Sequence, residues 1–221
     1  MTKLSGPRKE RTTVISEQEF QEMLDKTYEV QENYPEYYVL RDRCILCVFR
    51  LTGKRVTEVS TLKQNSLEIK GPNLSITFSV VKKRKEQKLT TQREKQIPLT
   101  DPLVPPILEY REWVKWNLGN QIEWLFPTTH YSPYLGTLTF NRTHLSTRQF
   151  LRIVQKCNPY AWCHLFRETV GADIVRKDKT IMAVWKVKKR LDLEKTETAW
   201  RYMDRYGLDV IERKCARALG S

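Results

Sequence analysis

In a chain whose apolar residues mostly recur at helical spacing, one segment changes period. Leu74, Ile76, Phe78 and Val80 alternate with Ser75, Thr77 and Ser79. Alternation of this kind marks a strand with one buried face. Gln96-Ile97-Pro98-Leu99 reads as the return strand, and the charged run Lys82 to Lys95 as a long basic connection between the two. These segments predict one small antiparallel sheet.

The rest reads as helix. Ser16 is a good N-cap, with Glu17 and Glu19 in the first turn and Phe20, Met23, Leu24 and Tyr28 on one face. A second helix spans about Glu36 to Leu51 and stops at Gly53, which suits a left-handed cap. Val56 to Leu62 forms a short helix packing Val59 and Leu62. Ile107, Leu108, Val114 and Leu118 define another helix that closes at Gly119, followed by a buried turn at Trp124 to Pro127 and a loop over residues 128–144. Further helices follow from Leu145-Ser146, over His164 to Arg176, over Ile181 to Leu193, and over Glu197 to Tyr206. The fold class expected is mainly α with a small antiparallel β-sheet, an α+β domain.

Charge narrows the function. The chain of 221 residues carries 39 Lys+Arg against 26 Asp+Glu, a net +13. Such an excess is the footprint of a polyanion partner, and nucleic acid is the usual one. The cations are spread along the chain rather than gathered on one amphipathic helix, which disfavours a membrane surface. No apolar run of about 18 residues exists to span a bilayer, and the first 13 residues lack the apolar core of a signal peptide. The five cysteines, Cys44, Cys47, Cys157, Cys163 and Cys215, are expected to be reduced, and the Cys44-x-x-Cys47 pair to be buried core. A cytoplasmic, nucleoid or nuclear setting follows, not a secreted one.

Three clusters carry chemistry: Thr52-Gly53-Lys54-Arg55-Val56-Thr57-Glu58, His164-Leu165-Phe166-Arg167, and Thr198-Ala199-Trp200-Arg201-Tyr202. Guanidinium forks match two phosphate oxygens at once and stay charged at any working pH. His164 and Arg167, three apart, share a helical face. A phenol is a weak nucleophile at neutral pH and needs cations and a base beside it. Tyr206, one turn beyond Tyr202, is a rival nucleophile.

The order and spacing of these clusters resemble the catalytic layout of tyrosine recombinases, the phage-integrase family, over roughly residues 14–207. The resemblance implies a DNA-breaking and rejoining domain of mainly helical architecture. In it, Arg55 and Arg167 would stabilise the phosphate, His164 would accept or orient a proton, and Tyr202 would attack to give a 3′-phosphotyrosyl link. A hairpin lysine would be the general acid. Lys82 is the first choice, with Lys83 and Lys85 as alternatives. No metal, ATP or other cofactor is implied. The family's second histidine is missing. Lys188, Lys189 or Arg190 falls in its place, and Arg190 is taken as the catalytic cation, while Trp185 lies one turn too early. Lys54, Lys83, Lys85, Lys88 and Lys189 are the expected DNA contacts. Glu58 is read as structural, holding a basic partner.

The resemblance also implies double-stranded DNA as partner and self-association on it, with a free monomer. Residues 1–13 are expected to be a basic disordered arm, and 208–221 a tail for contact between subunits. Only 54 residues precede Arg55, so either an excised catalytic domain or a minimal enzyme is implied. A type IB topoisomerase shares the chemistry, and a DNA-binding protein with a spoiled site shares the scaffold.

Overall fold

The computed structural model describes residues 14–29, 35–83 and 88–207. The arm 1–13, Lys85, the tail 208–221, and the side chains of Lys82, Lys83 and Lys88 lie outside the described residues. Helix α1 (Glu17–Glu29) precedes α2 (Glu36–Thr52) and the short α3 (Val56–Ser60). Strands β1 (Leu67–Lys70), β2 (Asn73–Lys83) and β3 (Lys88–Pro98) follow, then α4 (Pro105–Leu118), β4 (Pro127–Ser132) and β5 (Thr137–His144). Helices α5 (Thr147–Cys157), α6 (Cys163–Lys177), α7 (Met182–Arg190) and α8 (Thr196–Tyr206) complete the domain. The described residues are mainly helical with small antiparallel sheets, the class the sequence predicts, with two sheets where it predicts one.

α2 is the central helix. Cys44 to Phe49 are all buried, and a helix that is apolar all round belongs in the core. α1, α4 and α6 pack against it. Phe49 stacks on Phe166 of α6, with ring centroids 5.5 Å apart. Cys44, Cys47, Cys157 and Cys163 are free and buried, as expected. Cys215 lies outside the described residues.

α2 ends at Gly53, at φ 60, whose N–H donates to the Phe49 carbonyl at 2.9 Å. Glycine is required here twice over. The left-handed conformation penalises a Cβ, and a Cβ would also lie 2.7 Å from Leu191 Cδ2.

Two expectations are corrected. The charged run after Lys82 is not a long connection. The β2–β3 ladder continues from Asn73↔Pro98 to Lys83↔Lys88, with β1 on the other side of β2. The strand was hidden because its inward face is polar. Thr91, Arg93, Lys95 and Ile97 point in, while Gln92, Glu94, Gln96 and Pro98 are exposed, so the period of two is present without an apolar signal. Residues 128–144 are likewise not a loop but the β4–β5 hairpin. Half-buried Leu138 and Phe140 alternate with exposed Thr137 and Thr139, and Phe140 packs edge-on against Tyr37 at 5.0 Å.

A large core fills the centre. A second apolar cluster, with Val170, Val175, Val184, Val187 and Leu191, lies beneath α7 and α8. α6 borders both, which lets a residue of that helix touch the end of α2 and α8 together.

Candidate active site

Arg167 sits at that junction. It is 2% exposed. Its Nη1 donates to the Gly53 carbonyl at 2.8 Å, and its Nη2 donates to the Leu191 carbonyl. The side chain thus ties the end of α2 to the turn that precedes α8. A buried guanidinium needs such acceptors, because an unpaired buried charge is costly.

Arg55 follows in extended backbone (φ −70, ψ 149), just ahead of α3. Its N–H donates to Glu58 Oε2 at 2.8 Å, and its side chain is exposed. Burial lowers the Arg167 pKa first, and the like charge of Arg55 lowers it next. Tyr202, Glu58 and Asp192 act on the same guanidinium in the opposite sense. The first arginine, the second arginine and the tyrosine of the three sequence clusters therefore meet in one electrostatic neighbourhood.

Tyr202 is 6% exposed. Its ring lies flat over Gly171 of α6, where an added Cβ would fall 2.3 Å from Tyr202 Cε1. Its hydroxyl donates to Glu168 Oε1 at 3.4 Å. Burial, then the Glu168 charge, push the phenol up to about 12, against a smaller pull downward from Arg167. Tyr206 donates to the other oxygen of the same carboxylate, also at 3.4 Å. His164, whose side chain is 56% exposed, places Nε2 3.4 Å from Glu168 Oε1. The histidine is therefore open to solvent at the rim.

Other expected residues fall elsewhere. Lys54 is not a DNA contact. Its side chain is 0% exposed and its Nζ lies 2.5 Å from Asp192 Oδ2, 3.9 Å from Glu58 Oε1 and 4.8 Å from the Phe78 ring. Lys54 and Arg55 are consecutive around an extended stretch, where successive side chains leave on opposite sides. Glu58 does hold a basic partner, as expected. Arg190 donates to the Leu51 carbonyl. Burial lowers its pKa, opposed by Asp101 and Asp192. With Asp101, Lys186 and Lys189 it lines a cavity of about 970 Å³ that Arg55, Arg167 and Tyr202 do not line. Lys189 is exposed. The backbone of Lys82 pairs with Leu89, and that of Lys83 with Lys88, at the far end of the hairpin.

Two acidic residues carry more of the site than the sequence suggested. Asp192, a non-glycine residue at φ 50, joins Lys54, Lys95 at 3.1 Å and Arg93 at 3.4 Å. Burial opposes its ionisation, yet Lys54 and Lys95 hold its carboxyl below the usual range. It fastens the segment before α8 to the inward face of β3. No local pattern announces it, since every partner is distant in sequence. Glu168 gathers His164, Tyr202, Arg205 and Tyr206. Its i,i+4 spacing from His164 was the one readable sign.

No curated protein sequence matches. Among solved structures, the XerH site-specific recombinase bound to difH substrate in a pre-cleavage complex is similar, with TM-score 0.63 and 15% identity, covering 86% of this chain and 50% of that one. The same recombinase in a post-cleavage complex with palindromic difH gives TM-score 0.64 and 13% identity, covering 92% and 53%. XerA recombinase gives 0.54 and 15%, covering 86% and 59%. The chain thus spans about half the length of the structures it matches. The model of the phage integrase family matches residues 13–206, and the chain belongs to that family.

Proposed function

We propose that this domain cleaves and rejoins DNA as the catalytic part of a site-specific tyrosine recombinase. The observation that carries the reading is the buried guanidinium of Arg167, tied to the Gly53 carbonyl just ahead of Arg55 and subject to the charges of both Arg55 and Tyr202, in a chain of the phage integrase family. A phosphodiester placed against the exposed Arg55 would take the N–H groups of that fork, with the buried Arg167 charge acting beside it. Charge that develops on the non-bridging oxygens is then met by fixed cations, the largest single contribution in many enzymes. Tyr202 attacks phosphorus, the 5′-oxygen leaves, and the phosphate ester passes to the phenol. His164 at the rim accepts or orients the phenolic proton. A hairpin lysine, with Lys82 the first choice, protonates the leaving oxygen. Lys189, Lys83, Lys85 and Lys88 contribute phosphate contacts. Exposed Arg148 and Arg152, one turn apart on α5, add a cationic stripe of the kind that follows a DNA backbone. Membership of the phage integrase family and the fold shared with a recombinase bound to its difH substrate support double-stranded DNA as partner. Self-association on DNA belongs to the same reading.

A second reading has one observation in its favour. Arg190, the cation taken for the place of the missing histidine, donates to the Leu51 carbonyl and lines a cavity that Arg55, Arg167 and Tyr202 do not line. On that reading the domain binds DNA without cutting it. A nicked duplex that traps the covalent intermediate separates the two. The enzyme gives an adduct resistant to denaturant and lost in Tyr202→Phe. Retained binding with no adduct identifies the bystander. Recombination of paired sites, against relaxation of a supercoiled plasmid, then separates a recombinase from a topoisomerase.

A further inference from the structure

Glu168 follows directly on Arg167 and sits half-buried under α8. Each of its two oxygens accepts a hydrogen bond from a different tyrosine, Oε1 from Tyr202 and Oε2 from Tyr206, both at 3.4 Å. Two further side chains close the circle, the His164 imidazole with Nε2 at 3.4 Å from α6 and the Arg205 guanidinium with Nη1 at 3.3 Å from α8. Arg176 lies over the Tyr206 ring at 5.8 Å, and the Arg167 charge pulls the Tyr202 pKa downward. The tyrosine rings are themselves adjacent, with centroids 6.4 Å apart.

This is an unhelpful setting for a nucleophile. An ionised carboxylate that accepts from a phenol favours the neutral phenol, and a phenolate beside it would be repelled. The hydrogen bond from His164 and the charge of Arg205 favour the ionised form of Glu168, against the effect of burial. The hydroxyl is thus directed at Glu168 rather than left free.

We infer that Glu168 is a positioning residue that latches Tyr202 in the DNA-free protein, holding its hydroxyl as a neutral donor and sharing the latch with Tyr206. Its effect on cleavage rests on the function proposed above; the latch itself does not. A phosphate that draws His164 or Arg205 away weakens the latch and frees the oxygen to turn.

The test uses the full chain without DNA, carrying difluorotyrosine at position 202, whose lower intrinsic pKa brings ionisation into a range where the protein stays folded. Fluorine NMR follows the titration. The phenol should ionise above free difluorotyrosine, and Glu168→Gln should lower the midpoint by about one pH unit. An unmoved midpoint overturns the latch. The unsubstituted carboxylate provides a check that needs no folded variant. The signal at 202 should show a second, acid inflection where Glu168 takes up its proton, and its absence also overturns the latch. On nicked duplex, Glu168→Gln should raise the single-turnover adduct rate several-fold. An unchanged or lower rate overturns the restraint on cleavage. If neither protein forms an adduct, the proposed function fails and the titration still decides the latch.

Discussion

Arg167 Nη1 donates a 2.8 Å hydrogen bond to the carbonyl oxygen of Gly53, the residue that ends α2. With its second bond to the Leu191 carbonyl, this side chain is both a structural tie and the floor of the candidate site. The two roles are separable by substitution. Arg167→Lys keeps the charge but cannot form the fork, leaving a buried carbonyl unpaired. Stability should fall by about 1–3 kcal/mol, read by denaturant unfolding. Adduct formation on a nicked duplex should fall by on the order of 10² or more.

Two glycines set the approach of the helices. Gly53→Ala places a Cβ in left-handed backbone against Leu191 and should cost about 1–3 kcal/mol. Gly171→Ala meets the face of the Tyr202 ring instead. A domain that stays folded can relieve that clash only by moving the ring. Near-ultraviolet circular dichroism should therefore change in Gly171→Ala, and the adduct rate should fall more steeply than in Gly53→Ala at equal stability.

The Tyr202 phenol is raised from 10.0 to about 12. The folded state holds this proton more tightly than the unfolded chain does. Its contribution to stability is complete below about pH 10 and fades as pH rises toward about 12. Between those limits the intact protein should lose stability more steeply than Tyr202→Phe, as measured by denaturant midpoints at stepped pH.

Asp192 is the sole carboxylate within 3 Å of the buried Lys54 Nζ among the described residues, at 2.5 Å. Asp192→Asn would leave that ammonium buried with only Glu58 at 3.9 Å, and should cost about 2–4 kcal/mol. The Asp192 carboxyl is held below its ordinary range. Its contribution is therefore present above the usual carboxylate range and lost as pH falls through the lowered value. Asp192→Asn should therefore flatten the lowest part of the acid-unfolding curve.

How much of this was legible depends on the range of the interaction. The stop at Gly53, the helix that carries His164 and Arg167, and the alternating strand from Leu74 are local patterns, and each was readable. Arg55, Arg167 and Tyr202 were readable together only through the spacing of a family. Lys54 was misread because neighbours in extended backbone send their side chains to opposite sides, so Lys54 turns inward where Arg55 turns out. The inward face of β3 was missed because its burial serves an ion cluster around Asp192, not an apolar core. The β4–β5 hairpin was missed because its inward apolar residues are few and its outward ones are threonines. For Arg190, spacing gave the end of α7, but the direction of a long side chain is set by the acceptors it finds.

The central claim is that two arginines and Tyr202 act on one phosphate. Mass spectrometry of the protein trapped on a nicked duplex tests it most directly, by locating the nucleotide on a peptide. The expected result is a phosphotyrosyl link at Tyr202, present in Tyr206→Phe and absent in Tyr202→Phe. A link at any other residue, or duplex bound tightly with no link at all, would contradict it.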